Sequence, residues 1–231
     1  AHRESGRHET TRHTLSDFSR RLIRCHKRHG RHHLPWQKTT DPYRVWLSEI
    51  MLQQTQVATA MPYYERFLQH FPTLADLADA PVGEVMALWS GLGYYARARN
   101  LHACARMVMT QHGGLFPHQP EQLAALPGIG RSTANSIATF CFGARAPILD
   151  GNVKRVLSRC FGVEGFPGNT IVEKQLWSLA EELMPAKHGD IYNQAQMDLG
   201  ATLCTRSKPR CTDCPLEDIC VANVTGRQTE L

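Results

Sequence analysis

Apolar residues recur along this chain at helical rather than strand spacing. Asp41-Pro42 is typical of a helix start, because aspartate caps the N-terminus and proline fits the first helical position. The apolar residues that follow occupy one helical face, at i, i+3, i+4, i+7 and i+8: Tyr43, Trp46, Leu47, Ile50 and Met51. No stretch alternates strictly between apolar and polar residues, so the pattern predicts an all-α protein.

Glycine and proline divide the rest of the chain into further predicted helices. Thr14 and Asp17 have the spacing of a capping box, and Leu15, Phe18 and Leu22 then share one face. Residues 1–13 are predicted to form a disordered basic tail. The remaining helices are predicted near residues 62–70, 73–79, 82–90, 94–112, 120–126, 131–142, 152–161, 170–184 and 189–203.

Composition narrows the class of protein. A chain of 231 residues, 42% of them hydrophobic, suits one large domain or two small ones that share a cleft. Without a long apolar run or a secretory signal, we expect a cytoplasmic protein with no membrane contact, in a reducing compartment. The net charge of +5 is concentrated in residues 1–33, where basic residues outnumber acidic ones by six. That excess suggests a polyanionic partner, although a solvated face or tail explains it equally well.

Four of the eight cysteines crowd near the end of the chain. They are separated by six, two and five residues: Cys204, Cys211, Cys214 and Cys220. Four thiolates hold either a [4Fe–4S] cluster or a tetrahedral zinc ion, and the uneven spacing favours the cluster. Arg206 and Lys208 lie on the first loop, where they are placed to meet phosphates, unless the loop is simply solvated.

The segment Leu126–Ala134 reads Leu-Pro-Gly-Ile-Gly-Arg-Ser-Thr-Ala. Gly128 and Gly130 permit a tight turn, and the following helix presents backbone N–H groups to an anion. This pattern is typical of a helix-hairpin-helix, which grips the DNA backbone without reading its sequence. An ordinary turn between two helices is the alternative.

Two carboxylates stand out as candidates for acid–base chemistry. Glu49 lies beside the apolar face of the helix that starts at Pro42, where partial desolvation would let it hold a proton. Asp150 follows the apolar run at residues 147–149 and is placed to cap the next helix. Cleaving an N-glycosidic bond needs a protonated leaving base and a stabilised sugar cation, which two such carboxylates supply. A surface glutamate and an ordinary helix cap are the alternatives.

Taken together, these motifs resemble the MutY family of adenine DNA glycosylases, within the endonuclease III superfamily. The resemblance rests on three segments, on the hairpin and on the cysteines, and it covers about residues 15–221; the segments are Val45–Gln56, Gly91–Asn100 and Pro147–Val156. It implies a two-lobed fold with a six-helix barrel at residues 30–145, which includes the hairpin at 121–142. Residues 14–29 and 146–231 would form a [4Fe–4S] cluster domain.

The resemblance also implies roles for individual residues. Glu49 would protonate adenine, Asp150 would stabilise the cation-like sugar, and Asn152 would help to hold that centre. The adenine would be flipped out of the duplex, and further residues would contact the base or the DNA. These are His32, Trp36, Gln37, Leu52, Gln53, Gln54, Tyr94, Gly128, Gly130, Ser132, Lys154, Gln194, Arg206 and Lys208.

Ser132 bears on the reaction type. Endonuclease III relatives have at this position a lysine that forms a Schiff base and nicks the strand, which serine cannot do. The resemblance therefore implies base removal without efficient strand cleavage. The resemblance covers no part of the family's C-terminal Nudix-like domain, which we therefore do not expect in this chain, and this leaves open the preference for 8-oxoguanine or guanine opposite the adenine.

Two other functions compete with this interpretation. One is a monofunctional glycosylase of the same fold that removes thymine or uracil; Ser132 and Gln37 favour adenine over these bases. The other is a non-catalytic iron–sulfur DNA-binding protein, against which the presence of both Glu49 and Asp150 argues. The expected partner is duplex DNA with a mismatched adenine, bound by a monomer.

Overall fold

The computed structural model describes the backbone from residue 5 to residue 231 and the side chains from residue 15 onward. Throughout this part of the chain every regular element is helical, and no strand occurs. The predicted all-α class is therefore confirmed. No helix within the described range is long and apolar enough to cross a membrane.

Most α-helices begin or end close to the glycine and proline residues that divide the sequence. Asp41 caps α2 by accepting a hydrogen bond from the Tyr43 backbone nitrogen, and Gly143 and Gly162 end two later helices in the left-handed conformation. The bounds are α1 Ser5–His29, α2 Pro42–Leu52, α3 Val57–His70, α4 Leu74–Asp79, α5 Val82–Trp89, α6 Ala96–Gln111, α7 Pro120–Ala124, α8 Arg131–Phe142, α9 Gly151–Phe161, α10 Thr170–Leu183, α11 Gly189–Thr202 and α12 Val221–Thr225.

Two helices begin earlier than the sequence predicts. The backbone of residues 5–13 belongs to α1, so these residues are not the predicted disordered tail, and Thr14 is not a cap. Residues 7–13 contain neither glycine nor proline, so nothing stops helical hydrogen bonding there. The rest of the predicted tail, residues 1–4, lies outside the described residues. Similarly, α3 starts at Val57 with Pro62 inside it, where the sequence predicts a start near residue 62.

The chain divides into two compact units. One comprises residues 32–144, and the other combines residues up to 31 with residues 145–231. The boundaries between the units, after residues 31 and 144, lie within two residues of the predicted ones, but the second unit also includes residues before 14, which the sequence predicts as a separate tail.

Residues 32–144 contain α2 to α8, of which α7 spans only five residues. Their count exceeds the predicted six-helix barrel by one. Within this unit α2 packs against α3, α6 and α8, and α4 packs against α6. Trp46 and Trp89 are fully buried in the core. Trp46 lies in the middle of α2 and Trp89 is the last residue of α5, so their burial fixes both helices in the core.

The second unit is built on α9 and α11. The helix α9 packs against α10, α11 and α12, and α1 packs against α10 and α11. Phe18, Leu22 and Tyr192 are buried in its core. Asp198 of α11 further ties α1 down, because its carboxylate lies 3.1 Å from His26 Nδ1 and 2.7 Å from the Arg31 guanidinium. Asp198 is itself buried, and burial acts to raise its pKa. The hydrogen bonds and charges of its partners outweigh this effect and hold the pKa below the usual value.

Candidate functional site

Glu49 lies on α2, half-buried beside the buried apolar face of that helix. The hydroxyl of Ser136 on α8 donates a hydrogen bond of 2.9 Å to Glu49 Oε1. Both residues belong to the unit of residues 32–144. The carboxylate therefore has the partly desolvated position that the sequence predicts, and the Ser136 side chain of α8 orients it.

The predicted hairpin has the expected backbone geometry. The chain leaves α7, turns through Gly128 in the left-handed region at φ 75°, and enters α8 at Arg131. A Cβ at Gly128 would lie 2.9 Å from the Cβ of Asn100, so glycine is required for both conformation and space. Gly130 is the N-cap of α8, and no side chain caps this end. A helix end without a side-chain cap presents backbone N–H groups to an anion.

Two exposed residues of this unit have strained backbones. Gln54, just after α2, has φ 56°, and Tyr94, just before α6, has φ 46°. Residues other than glycine rarely adopt backbone angles in this region, and such strained residues are common at ligand-binding sites. Tyr94 is 62% exposed, which is unusual for a large aromatic side chain. Both residues are therefore exposed at the surface, while the surrounding structure holds their backbones in the strained conformation.

Arg97 of α6 holds these two segments together. Its guanidinium is buried and donates to backbone carbonyls on both sides. One nitrogen contacts the end of α2, at Ile50, Met51 and Gln53, with distances from 2.7 to 3.0 Å. The other contacts Thr55 Oγ1 at 3.1 Å and the carbonyl of Gly93 at 3.2 Å. One side chain thus fixes the residues next to both Gln54 and Tyr94.

The proposed base-pocket residues of this unit have local partners. Trp36 is buried, and its ring meets that of Tyr64 edge-on with centroids 5.3 Å apart. Gln37 Oε1 accepts a hydrogen bond of 3.1 Å from the Leu34 nitrogen, which closes a short 3-10 turn. His32 is exposed. Packing explains the position of Trp36, so its contact with a base remains a prediction.

Asp150 and Asn152 lie in the other unit, at the start of α9. Asp150 Oδ1 accepts a hydrogen bond of 2.8 Å from the Val153 nitrogen, as a helix cap does. Asn152 Oδ1 accepts one of 2.9 Å from Arg155. Gly200 of α11 lets this turn approach closely, because a Cβ there would lie 2.7 Å from the Asn152 Cβ. Because Glu49 lies in the first unit, the predicted pairing of the two carboxylates remains a proposal.

Burial raises the pKa of Asp150 above its usual value. The hydrogen bonds from the Val153 and Asn152 backbones oppose this shift, as do the charges of Arg155 and Lys154. The carboxylate is therefore less stable in its ionised form than a solvated one. A buried carboxylate with a raised pKa is typical of a functional site, since the fold gains nothing by burying the charge.

Other predicted residues in this unit also have protein partners. Gln194 donates from Nε2 to Asp198 Oδ1 at 3.0 Å, and the Lys154 ammonium lies 3.7 Å from Glu173. Arg206 and Lys208 are exposed on the loop after Cys204. Three of these predicted contacts are therefore cations at or near the surface, as phosphate contacts require.

The four clustered cysteines are free thiols of intermediate burial. Burial raises the pKa of Cys214 to about 12, with smaller contributions from the neighbouring Cys204, Cys220 and Cys211. The four thiols therefore lie near one another. Among the described residues, however, no three His, Cys, Asp or Glu side chains are arranged to hold a metal ion. Four cysteine thiolates are a ligand set for either an iron–sulfur cluster or a zinc ion.

Residues that sequence reasoning passed over hold this cysteine loop in place. Arg159 of α9 is buried and donates to the carbonyls of Thr205 and Arg206 at 2.7 and 2.9 Å, and to the sulfur of Cys204 at 3.4 Å. A hydrogen bond from Cys160, which is buried on α9, lowers the pKa of Cys220 to about 6. Arg97 and Ser136 were also missed. Their only signal was a polar residue on an apolar helix face, which does not reveal its partner.

Arg97→Lys should destabilise the protein by roughly 3 kcal/mol, because an ammonium cannot reach both segments and leaves buried carbonyls unsatisfied. Urea unfolding measures this change. Arg99→Lys, on an exposed site of the same helix, is the matched control and should change stability by less than about 0.5 kcal/mol. Equal stability of the two variants would contradict the role given to Arg97.

Asp150→Asn should stabilise the protein at pH 7, because asparagine still caps α9 but carries no buried charge. The folded-state pKa of Asp150 is raised, so the wild type is at its most stable below pH 3.8 and loses this stability as the pH rises through the folded-state pKa. The advantage of the variant should therefore disappear at low pH. Urea unfolding at both pH values tests this, with Asp190→Asn as the exposed control. A pH-independent difference would rule out the charge as the cause.

The chain matches the family described as HhH-GPD superfamily base excision DNA repair protein over residues 47–182. An adenine DNA glycosylase of Buchnera aphidicola (subsp. Acyrthosiphon pisum) is 44% identical over 207 residues, which cover 90% of this chain and 59% of the relative. Adenine DNA glycosylase of Homo sapiens is 47% identical over 208 residues, which cover 86% and 38%. The chain thus spans 59% or less of the length of these relatives.

Solved structures share the fold. A thermostable thymine-DNA glycosylase is 28% identical, with a TM-score of 0.84 over 93% of this chain and 99% of that chain. Endonuclease III, in a non-covalent DNA complex, is 24% identical with a TM-score of 0.70 over 80% and 85%. On the family match and on the hairpin geometry, this chain belongs to the HhH-GPD superfamily of base excision DNA repair proteins.

Proposed function

We propose that this chain is the catalytic portion of an adenine DNA glycosylase, which hydrolyses the N-glycosidic bond of adenine mispaired with 8-oxoguanine or guanine. Two carboxylates in unlike surroundings carry this proposal: Glu49, hydrogen-bonded and half-buried, and Asp150, buried with a raised pKa. The adenine glycosylase relatives, 44% and 47% identical, support the choice of base.

The two carboxylates have different tasks in this reaction. Glu49 gives a proton to a ring nitrogen of adenine, so that the base leaves in neutral form. Asp150, held in place as the cap of α9, stabilises the positive charge that develops on the sugar. The sugar cation supplies the opposite charge that the buried Asp150 carboxylate needs. Asn152, held by Arg155, fixes the same turn.

The exposed segments around the strained residues Gln54 and Tyr94 suit the binding of a duplex from which one base has been flipped out. Leu52, Gln53 and Gln54 would fill the gap left in the duplex, and Tyr94 would wedge beside the opposing base. Arg97 supports this assignment, because it holds both segments at fixed backbone positions. The flipped adenine would contact His32, Trp36, Gln37 and Gln194, and the amides of the two glutamines can both donate to a base edge and accept from it.

The hairpin supplies the grip on the DNA backbone. Gly128 and Gly130 shape the turn, and the uncapped end of α8 faces a phosphate. Ser132 has no amine, so no Schiff base forms there and the strand is not cut efficiently. Lys154, Arg206 and Lys208 add phosphate contacts, and binding should therefore weaken steeply with salt.

A [4Fe–4S] cluster held by Cys204, Cys211, Cys214 and Cys220 completes the proposal. The four free thiols and their uneven spacing of six, two and five residues support this choice over zinc. The cluster, when bound, pins the loop that carries Arg206 and Lys208, and it supplies architecture rather than a reaction step. The enzyme would act as a monomer on DNA in the cytoplasm.

A thymine or uracil glycosylase is the second candidate. It is favoured by one observation, the 28% identical thymine-DNA glycosylase structure that this chain covers almost completely. The two candidates differ in the base removed, so substrate choice separates them.

The deciding assay is single-turnover cleavage of matched duplexes that carry A opposite 8-oxoguanine, A opposite G, T opposite G, or U opposite G. We expect abasic product only from the adenine duplexes, and strand breaks only after hot alkali. Glu49→Gln should still bind DNA but lose at least about a hundredfold in rate, because it carries no proton to give. Glu65→Gln, exposed on α3, is the control. Cleavage of T or U duplexes, or an active Glu49→Gln enzyme, would contradict the proposal.

Cluster binding is tested by iron and sulfide analysis together with the visible absorption of the purified protein. We expect about four irons and four sulfides per chain, lost in Cys214→Ser but kept in Cys25→Ser, which lies outside the cysteine loop. Zinc in place of iron in the purified wild type would overturn this assignment.

A further inference from the structure

We propose that Ser136 is a positioning residue for Glu49, through which the helix that grips the DNA backbone also orients the catalytic acid. This inference rests on the proposed function, because it assigns Ser136 to the same reaction. The direct observation is the 2.9 Å hydrogen bond from Ser136 Oγ to Glu49 Oε1.

Two side-chain contacts join α2 to α8 along matching helix faces. Besides the Ser136–Glu49 bond, Gln53 Nε2 donates to Thr133 Oγ1 at 3.3 Å. The contacts are four residues apart on α2 and three apart on α8, so each helix presents both of its members on one face. Glu49 and Gln53, the middle residue of the segment proposed to fill the gap in the duplex, are therefore positioned against the same side of α8.

The hairpin and Ser136 belong to one rigid element. Gly130 caps α8 and Ser136 lies six residues further on, which corresponds to about 9 Å along a helix. A phosphate bound at the start of α8 thus sets the position of this hydroxyl, and with it the position of Glu49. The bound backbone and the acid become parts of one preorganised arrangement.

The Ser136 side chain is only 2% exposed, so solvent does not replace Glu49 as its partner. A hydroxyl both donates and accepts hydrogen bonds, and it can therefore pair with Glu49 both before and after Glu49 gives up its proton. Donation to the ionised form favours that form. Removing the hydroxyl should accordingly raise the pKa of Glu49 and free its side chain to leave the productive position.

The other ionisable groups near α2 are the same in the wild type and in a Ser136 variant. Cys141 of α8 faces Glu49, and burial raises the pKa of its thiol to about 12, which keeps it neutral. Arg97 of α6 contacts the carbonyls at the end of α2. The remaining groups on α2 and on the elements packed against it are Lys38, Asp41, Tyr43, Arg44, Tyr63, Tyr64, Glu65, Arg66, His70, Arg99, His102, Cys104, Arg106 and Arg131.

The test compares single-turnover rates across pH for wild type, Ser136→Ala, Ser136→Thr and Glu49→Gln on the adenine duplex. We expect Ser136→Ala to lose about tenfold in rate, and the basic limb of its pH profile to move up by about one unit. Its affinity for an uncleavable duplex should be unchanged. Ser136→Thr, which keeps a hydroxyl, should recover much of the rate.

Ser158→Ala is the matched control, because Ser158 is equally buried but lies on α9, and its hydroxyl has no hydrogen-bond partner among the described residues. An unchanged rate and pH profile in Ser136→Ala would overturn this inference, as would an equal loss in Ser158→Ala. If the wild type is inactive on adenine, or Glu49→Gln stays active, the proposed function itself fails. The two failures are therefore distinguishable in one experiment.

Discussion

The buried guanidinium of Arg97 is the interaction on which the unit of residues 32–144 most depends. It bonds to the end of α2 and to the segment before α6, so two irregular stretches of backbone share one partner. The rings of Trp89 and Tyr94 flank it, with centroids 5.0 and 5.5 Å from its central carbon. A planar group with several donors can satisfy carbonyls in both segments, and this accounts for strained backbones that persist at Gln54 and Tyr94.

The helix α8 connects this arrangement to the proposed chemistry. Its start lies at the hairpin, where only glycine fits at residue 128, and its buried face carries the hydroxyl that meets Glu49. A helix transmits position along its axis with little deformation. If the proposed function holds, contacts between two helices position the DNA backbone, the segment at residues 52–54 and Glu49, which is the rigid support that preorganised catalysis requires.

The other unit holds its carboxylate by a different means. Asp150 is buried at the start of α9, where the burial that raises its pKa is only partly offset by backbone hydrogen bonds. Arg155 and Arg159 extend from the same helix to the backbone at Cys204 and beyond. The start of α9 thus bears the proposed catalytic carboxylate, while its middle anchors the cysteine loop. The proposed catalytic role accounts for the burial of Asp150, because burial of the carboxylate alone does not favour the folded state.

The sequence by itself determined the all-α class, most helix ends and the turn at Gly128, because helical periodicity, caps and glycine conformations are local properties. It also marked Glu49, Asp150 and the cysteines through their motifs. It did not reveal that Arg97, Ser136 and Arg159 hold those motifs in place, since each has a hydrogen-bond partner at least 46 positions away. Nor did it predict helical backbone at residues 5–13 or Pro62 inside α3. Burial and partners are set by which helices pack together, and only the tertiary structure decided that.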